Sequence, residues 1–314
     1  MITRSNPAGV SIAILAGAWV LCAQEFDQLA KLFDYDKSAP LNFQIDAREP
    51  AEAAEILSVS YAGAIAPVSA SLVLPAQRGK HPAVIFMSDS GHKRDQFLAE
   101  ALLLAEARPP AVSLLIDAPP ARPVGWRRSF NPTLENNDRD IHIQAVIDAR
   151  RAVDLLTARD DVDPTRIAYE GPGDAANWGA ILRRIEPRLR AFVLIAGYPN
   201  LTSAMIDDDP ELADLRFALG KERFDSYVSS LSALDPVRYL GANGAPILFQ
   251  FGRFDPYIAR ARADRLILAA SDAGHAIFYN SGHDVNDPKA LFDRGDFLMK
   301  RVGIGRIKLK RAYR

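Results

Sequence analysis

The sequence predicts an α/β protein built on a mostly parallel, doubly wound sheet. Three patterns lead there. From His81 onward, short apolar runs suited to strands buried on both faces alternate with helical patterns. Ahead of them, residues 56–61 and 69–74 alternate apolar and polar positions, as a half-exposed antiparallel start does. Finally, Arg166-Ile-Ala-Tyr-Glu-Gly171-Pro-Gly173-Asp-Ala175-Ala-Asn-Trp-Gly179 reads as a strand running through a tight turn into a helix.

The chain has 314 residues, 48% of them hydrophobic, which is ample for one large core. A formal net charge of −1 gives no reason to expect nucleic acid or an acidic surface as partner. Residues 5–24 carry no charge and include Ile12-Ala-Ile-Leu15 and Ala18-Trp-Val-Leu21. This stretch is short for a membrane span and reads as an export signal occupying residues 1–23, with Ala23 the small residue at the cleavage point. An uncleaved anchor, or a lipoprotein signal at Cys22, are the alternatives. Cys22 is the single cysteine and cleavage after Ala23 would remove it, so intrachain disulfides, thiol catalysis and zinc–thiolate sites are not expected.

The remainder, residues 24–314, is expected to be one domain. Apolar residues at 26, 29, 32 and 33 suit a short amphipathic helix packed on it. Gly63 and Pro67 mark the turn between the two antiparallel strands. Pro82-Ala-Val-Ile-Phe-Met87 is a buried strand, followed by the polar turn Ser88-Asp-Ser-Gly-His-Lys93 and a helix whose inner face carries Phe97, Ala101, Leu104 and Ala105. A strand at 111–116 leads into a loop that reaches Asn137 and is long enough to line a site. The clearest helix, 141–158, turns Val146, Ala149, Val153 and Leu156 inward. After the strand–turn–helix and a strand at 191–196, helical patterns at 210–219 and 222–231 interrupt the strand order. They form a small helical cap insertion at about 198–240, where Asp207-Asp-Asp209 is a solvated helix start. Strands at 246–251 and 276–279 flank a helix at 258–270, and a last helix runs over 288–302. The tail, 303–314, is basic and is expected to be a solvated face.

In a sheet of this kind chemistry gathers at the carboxyl ends of the strands. Gly173, Asp255 and His283 all follow predicted strands. A strand–turn–helix with small residues two places either side of its apex is the shape of a nucleophile elbow, and Gly171 and Ala175 are those flanks. The apex, where Ser, Cys or Asp would stand, is Gly173.

Three segments together carry a family resemblance over roughly residues 69–302. They are Val162-Asp-Pro-Thr-Arg-Ile leading into Gly171-Pro-Gly-Asp-Ala175, Ala245-Pro-Ile-Leu-Phe-Gln-Phe-Gly-Arg-Phe-Asp255, and Ser281-Gly-His283. In them the chain resembles the α/β-hydrolase superfamily, in its dienelactone-hydrolase-like and acetyl-xylan-esterase-like branch. The resemblance implies an α/β-hydrolase fold, Asp255 as triad acid, His283 as general base, and a small ester or acyl-type ligand. It also places the serine position on Gly173, with no gap, so no acyl-enzyme can form there. The loop that supplies oxyanion donors reads Ser88-Asp89-Ser90-Gly91, and the residue after the apex is Asp174. Ionised Asp89 and Asp174 would oppose a developing oxyanion.

The leading expectation is therefore an exported hydrolase-fold protein without triad catalysis, its pocket kept for binding. The alternative is a working hydrolase in which His283, held by Asp255, activates water, or in which Asp174 is the nucleophile; against Asp174, that register puts Pro172 in a small-residue position. Convergence of Asp89, His92, Asp174 and His283 on a metal has no supporting ligand spacing, and a solvated set of loop side chains is the simpler reading. No metal and no cofactor is expected.

Overall fold

In a computed structural model the protein is described over residues 27–202, 210–241 and 243–308. The stretch read as an export signal, with Cys22, the 207–209 aspartates and the end of the basic tail lie outside the described residues. The chain divides into two units, residues 1–37 and 38–314. In the first, residues 27–31 are helical.

The second unit is organised by one nine-stranded sheet. Strands β1 (Gln44–Pro50), β2 (Ala54–Ala62) and β3 (Pro67–Pro75) form an antiparallel meander, and β3 pairs antiparallel with β5 (Val112–Ile116). From β5 the sheet continues in parallel through β4 (His81–Met87), β6 (Val162–Pro172), β7 (Leu189–Ile195), β8 (Ile247–Gly252) and β9 (Gly274–Tyr279). Strand β1 has no counterpart in the sequence reading. Every residue of Gln44-Ile-Asp-Ala-Arg-Glu-Pro50 is exposed, so this edge strand shows no buried face and no alternation. By contrast β4 and β5 are buried at every position, as their unbroken apolar runs require.

Helices α1 (Leu98–Glu106), α2 (Asn137–Thr157), α3 (Asp174–Ile185), α4 (Pro210–Ser232), α5 (Arg260–Ala269) and α6 (Pro288–Val302) accompany the strands. Alternation along β6 sends neighbouring residues to opposite faces. Tyr169 lies under α3, where its hydroxyl donates to the Ala175 carbonyl at 2.8 Å. A Cβ on Gly179 of that helix would stand 2.7 Å from the Tyr169 ring, so only glycine permits this approach. On the same side Trp178 Nε1 donates to His142 Nδ1 at 2.9 Å, pinning α3 to α2. The 117–137 connection is anchored inside by a fully buried ion pair, Arg122 to Asp148 at 2.5 Å. The cap insertion between β7 and β8 is α4, whose backbone breaks at Gly220 (φ 70°, ψ 162°) into the two helical segments expected. At the start of the tail Arg306 and Lys308 are exposed, as a solvated basic run requires, but Ile304 and Ile307 beside them are buried, and Gly305 N donates to the Pro109 carbonyl at 2.7 Å.

Glu170, the neighbour of Tyr169, points to the other face and is fully buried. Arg294 Nε of α6 lies 3.0 Å from its Oε1, but that N–H is directed at Glu100, so neither Glu170 oxygen receives a hydrogen bond. Burial, and then the Glu100 charge, push the Glu170 carboxyl well above the ordinary carboxylate range, and Arg294 only partly offsets them. The folded state therefore holds this proton more tightly than the unfolded state does. Its stabilising effect is full below the ordinary glutamate pKa and is lost as pH rises through the raised one. Glu170→Gln should be more stable than the native protein at pH 8, by about 1–3 kcal/mol in urea unfolding. The difference should shrink towards zero at pH 4, and a pH-independent difference would contradict the assignment.

Candidate functional site

The site is assembled where β4, β6, β8 and β9 end. At the end of β6, Gly171 packs so closely on the first turn of α3 that a Cβ there would meet Ala175 Cβ at 2.7 Å and its backbone at 3.0 Å. Two residues on, Gly173 turns the chain with φ 53° and ψ −120°, a conformation strained for any residue bearing a side chain. Its N–H donates to the Ile195 carbonyl at 2.9 Å, tying the apex to β7. The space a side chain would enter is bounded by Asp89, whose Oδ2 lies 3.3 Å from the Cβ position of Gly173.

The loop after β4 holds its side chains in different ways. Ser88 is fully buried, and its Oγ accepts from Ala118 N at 3.0 Å, a tie between the ends of β4 and β5. Asp89 Oδ1 accepts from Gly91 N at 3.0 Å and His92 N at 2.8 Å, with His92 Nδ1 at 2.9 Å. Ser90 Oγ donates to Asp174 Oδ2. The loop's far end is held by Asp117 Oδ1, which accepts Arg94 N at 2.9 Å.

Past β8, Asp255 has a side chain only 1% exposed. Its Oδ1 accepts the N–H groups of Tyr257 (2.8 Å) and Ile258 (3.0 Å), leaving Oδ2 for His283 Nδ1 at 2.8 Å. The rings of Tyr198 and Tyr257 flank the imidazole, at 6.4 and 5.2 Å between centroids. Burial alone would raise the Asp255 carboxyl, but the His283 bond and the two backbone N–H groups outweigh it and hold the group below its ordinary value. His283 is raised, first by its bond to Asp255, then against the opposing effect of burial by the charges of Asp255, Asp284 and Asp89.

Beside Asp174 opens a cavity of about 400 Å³ lined by the loop after β5, by α2, by α3 and by the cap. Of its polar lining, sequence reasoning named Ser90 and Asp174 but missed His142, Asn177 and Asp138. His142 extends the inward series 146, 149, 153 and 156 of α2 by one turn, and a histidine in that series was the available signal. It is buried, and burial lowers its pKa despite the nearby charges of Asp174 and Asp138. Asn177 is 1% exposed; its Oδ1 accepts Tyr198 N at 2.8 Å while its Nδ2 has no partner. Asp138 binds Asn131 N at 2.6 Å, Asn137 Nδ2 at 2.9 Å and the cap hydroxyl of Tyr227 at 2.7 Å, so it fastens the loop and the cap together. The structure thus brings Gly173, Asp89, Ser90 and Asp174 to one apex and pairs Asp255 with His283. Among the described residues no three His, Cys, Asp or Glu side chains cluster as metal ligands.

Titrating His283 by imidazole NMR should give a pKa above that of an ordinary histidine, and Asp255→Asn should bring it down. Because the folded value is raised, the pair stabilises the fold fully below the ordinary histidine pKa, and that contribution fades as pH rises through the folded one. A His283 pKa unchanged in Asp255→Asn would show that the 2.8 Å contact does not hold in solution.

No protein-family model matches the chain, and no curated protein sequence matches it significantly. Solved structures do match. Acetyl xylan esterase 1 from Thermoanaerobacterium sp. JW/SL YS485 aligns with a TM-score of 0.68 at 15% identity, over 89% of this chain and 93% of that one. An acetyl xylan esterase from Paenibacillus sp. R4 gives 0.68 at 17% identity, over 90% and 93%. A cold-adapted esterase from an Arctic intertidal metagenomic library gives 0.55 at 14% identity, over 83% and 100%. What these proteins share with this chain is the fold.

Proposed function

We propose that this α/β-hydrolase fold serves an exported protein of ester-hydrolase ancestry that has lost Ser-triad catalysis and keeps its pocket for a small ester- or acyl-type molecule. The observation that carries the reading is Gly173. The elbow backbone and its small flanks are in place and the Asp255–His283 pair is formed, yet the apex bears no hydroxyl and a carboxylate borders the vacant space. Removing the nucleophile of a triad forfeits most of its rate enhancement. Glycine relieves strain of about 1–3 kcal/mol at such a position, so once catalysis was no longer selected the substitution was favoured by stability. The esterase neighbours and the resemblance to dienelactone-hydrolase-like proteins support the ancestry. The charge-free segment 5–24 supports export, and no helix among the described residues is long and apolar enough to cross a membrane. The net charge of −1 supports a small-molecule partner over nucleic acid.

A second reading is favoured by the 2.8 Å Asp255–His283 bond: an oriented imidazole could activate water directly. Asp174 as nucleophile is the weaker variant, since one of its oxygens is occupied by Ser90. A panel of short acyl and aryl esters and lactones separates the readings. The native protein should show no turnover above His283→Ala. Gly173→Ser should gain slow hydrolysis, at a cost of about 1–3 kcal/mol in stability, and Gly173→Ser with Asp89→Asn should exceed it. Native turnover abolished by His283→Ala would instead establish activated water or Asp174 chemistry.

A further inference from the structure

The cavity beside the elbow has a charge and hydrogen-bonding pattern that goes beyond a generic acyl pocket. Asp174 and Asp138 both line it, and among the described residues no lysine or arginine does; Arg265 donates to Asn200 Oδ1 at 3.0 Å. Asp138 is spent on its three donors from the loop and cap. Asp174 is different. It stands at the start of α3, and its one hydrogen bond among the described residues, from Ser90, goes to Oδ2. The neighbouring imidazole is no counter-ion for it. Trp178 Nε1 is a donor only, so His142 Nδ1 must present a lone pair and the ring proton sits on Nε2. His142 is thus a neutral N–H donor in the cavity wall.

Asn177 supplies the second, independent observation. Because its Oδ1 accepts a backbone N–H, the amide orientation is settled and Nδ2 is the free end, nine-tenths buried or more and without a partner. A buried donor left unmade costs about 1–3 kcal/mol. Asn177 lies one helical turn beyond Asp174, on the same face of α3. Among the described residues the wall therefore sets a carboxylate with no lysine or arginine partner, the unpartnered Asn177 Nδ2 and the His142 N–H in one lining, with Phe130 and Tyr198 alongside.

We propose that this cavity binds an amine-bearing cation with an oxygen function on the adjacent carbon, the ammonium on Asp174 and the oxygen on Asn177 Nδ2 and His142 Nε2. This rests on the binding role given above and names the chemistry of that ligand. An ammonium gains a charge-assisted hydrogen bond from the carboxylate, in a cavity whose lining includes the aromatic residues Phe130 and Tyr198. A ligand carboxylate would meet Asp174 and Asp138 at close range and is selected against.

The test compares 2-amino-3-phenylpropan-1-ol with its neutral isostere 3-phenylpropane-1,2-diol, by isothermal titration of the whole chain at pH 7.5. The amino alcohol should bind at least tenfold tighter than the diol. Asp174→Asn, which retains a side-chain oxygen for Ser90 and should melt with the native protein, should erase that preference. Asn177→Ala should weaken both probes while the preference for the cation persists. Equal binding of the two probes, no binding of either, or a preference that survives Asp174→Asn would overturn the assignment. None of these results bears on the missing nucleophile, which is tested by ester turnover alone.

Discussion

The close approach of β6 and α3 is the constraint on which the site depends. With no room for a Cβ on Gly171, the strand hands directly to the helix, and Gly173 must take up the turn in left-handed backbone space. That geometry aims the start of α3 at the carboxyl edge of the sheet, which is why Asp174 and Asn177 face the cavity. The Trp178–His142 bond then sets the rotation of α3 against α2, and the buried Arg122–Asp148 pair holds the connection that closes the cavity's other side.

Electrostatics at the same edge have two separate centres. Asp255 and His283 compensate one another, each raising the other's preference for its charged form. Asp89 and Asp174 lie at the apex with hydroxyl, backbone and imidazole partners but, among the described residues, no arginine or lysine. A hydrolytic site gathers donors where negative charge develops. This apex brings two carboxylates, Asp89 and Asp174, to the turn.

Much of this was legible from residue order. Unbroken apolar runs marked β4 and β5 because strands buried on both faces admit little else, and the small flanks of Gly173 marked the elbow because backbone contact excludes larger residues. The pairing of Asp255 with His283 was placed by their positions after β8 and β9. Strand β1 escaped because an exposed edge strand needs no apolar pattern. The buried cluster of Glu100, Glu170 and Arg294 escaped for another reason: a glutamate in an apolar strand gives no sign of which helix will face it. His142 and Asn177 acquire meaning only when α2 and α3 are docked, since their role is set by the partner of one nitrogen or oxygen and the lack of a partner for the other. The docking of Ile304 and Ile307 was hidden by the charges around them.

The most direct measurement is the intact mass of the native protein after exposure to an alkyl fluorophosphonate, which phosphonylates an activated nucleophile with loss of fluoride. The account predicts an unchanged mass for the native chain and one added phosphonyl group in Gly173→Ser, mapped to residue 173 and diminished when His283→Ala is combined with it. A phosphonyl adduct on the native protein that His283→Ala abolishes would contradict it, because a nucleophile activated by His283 would then exist elsewhere in the site.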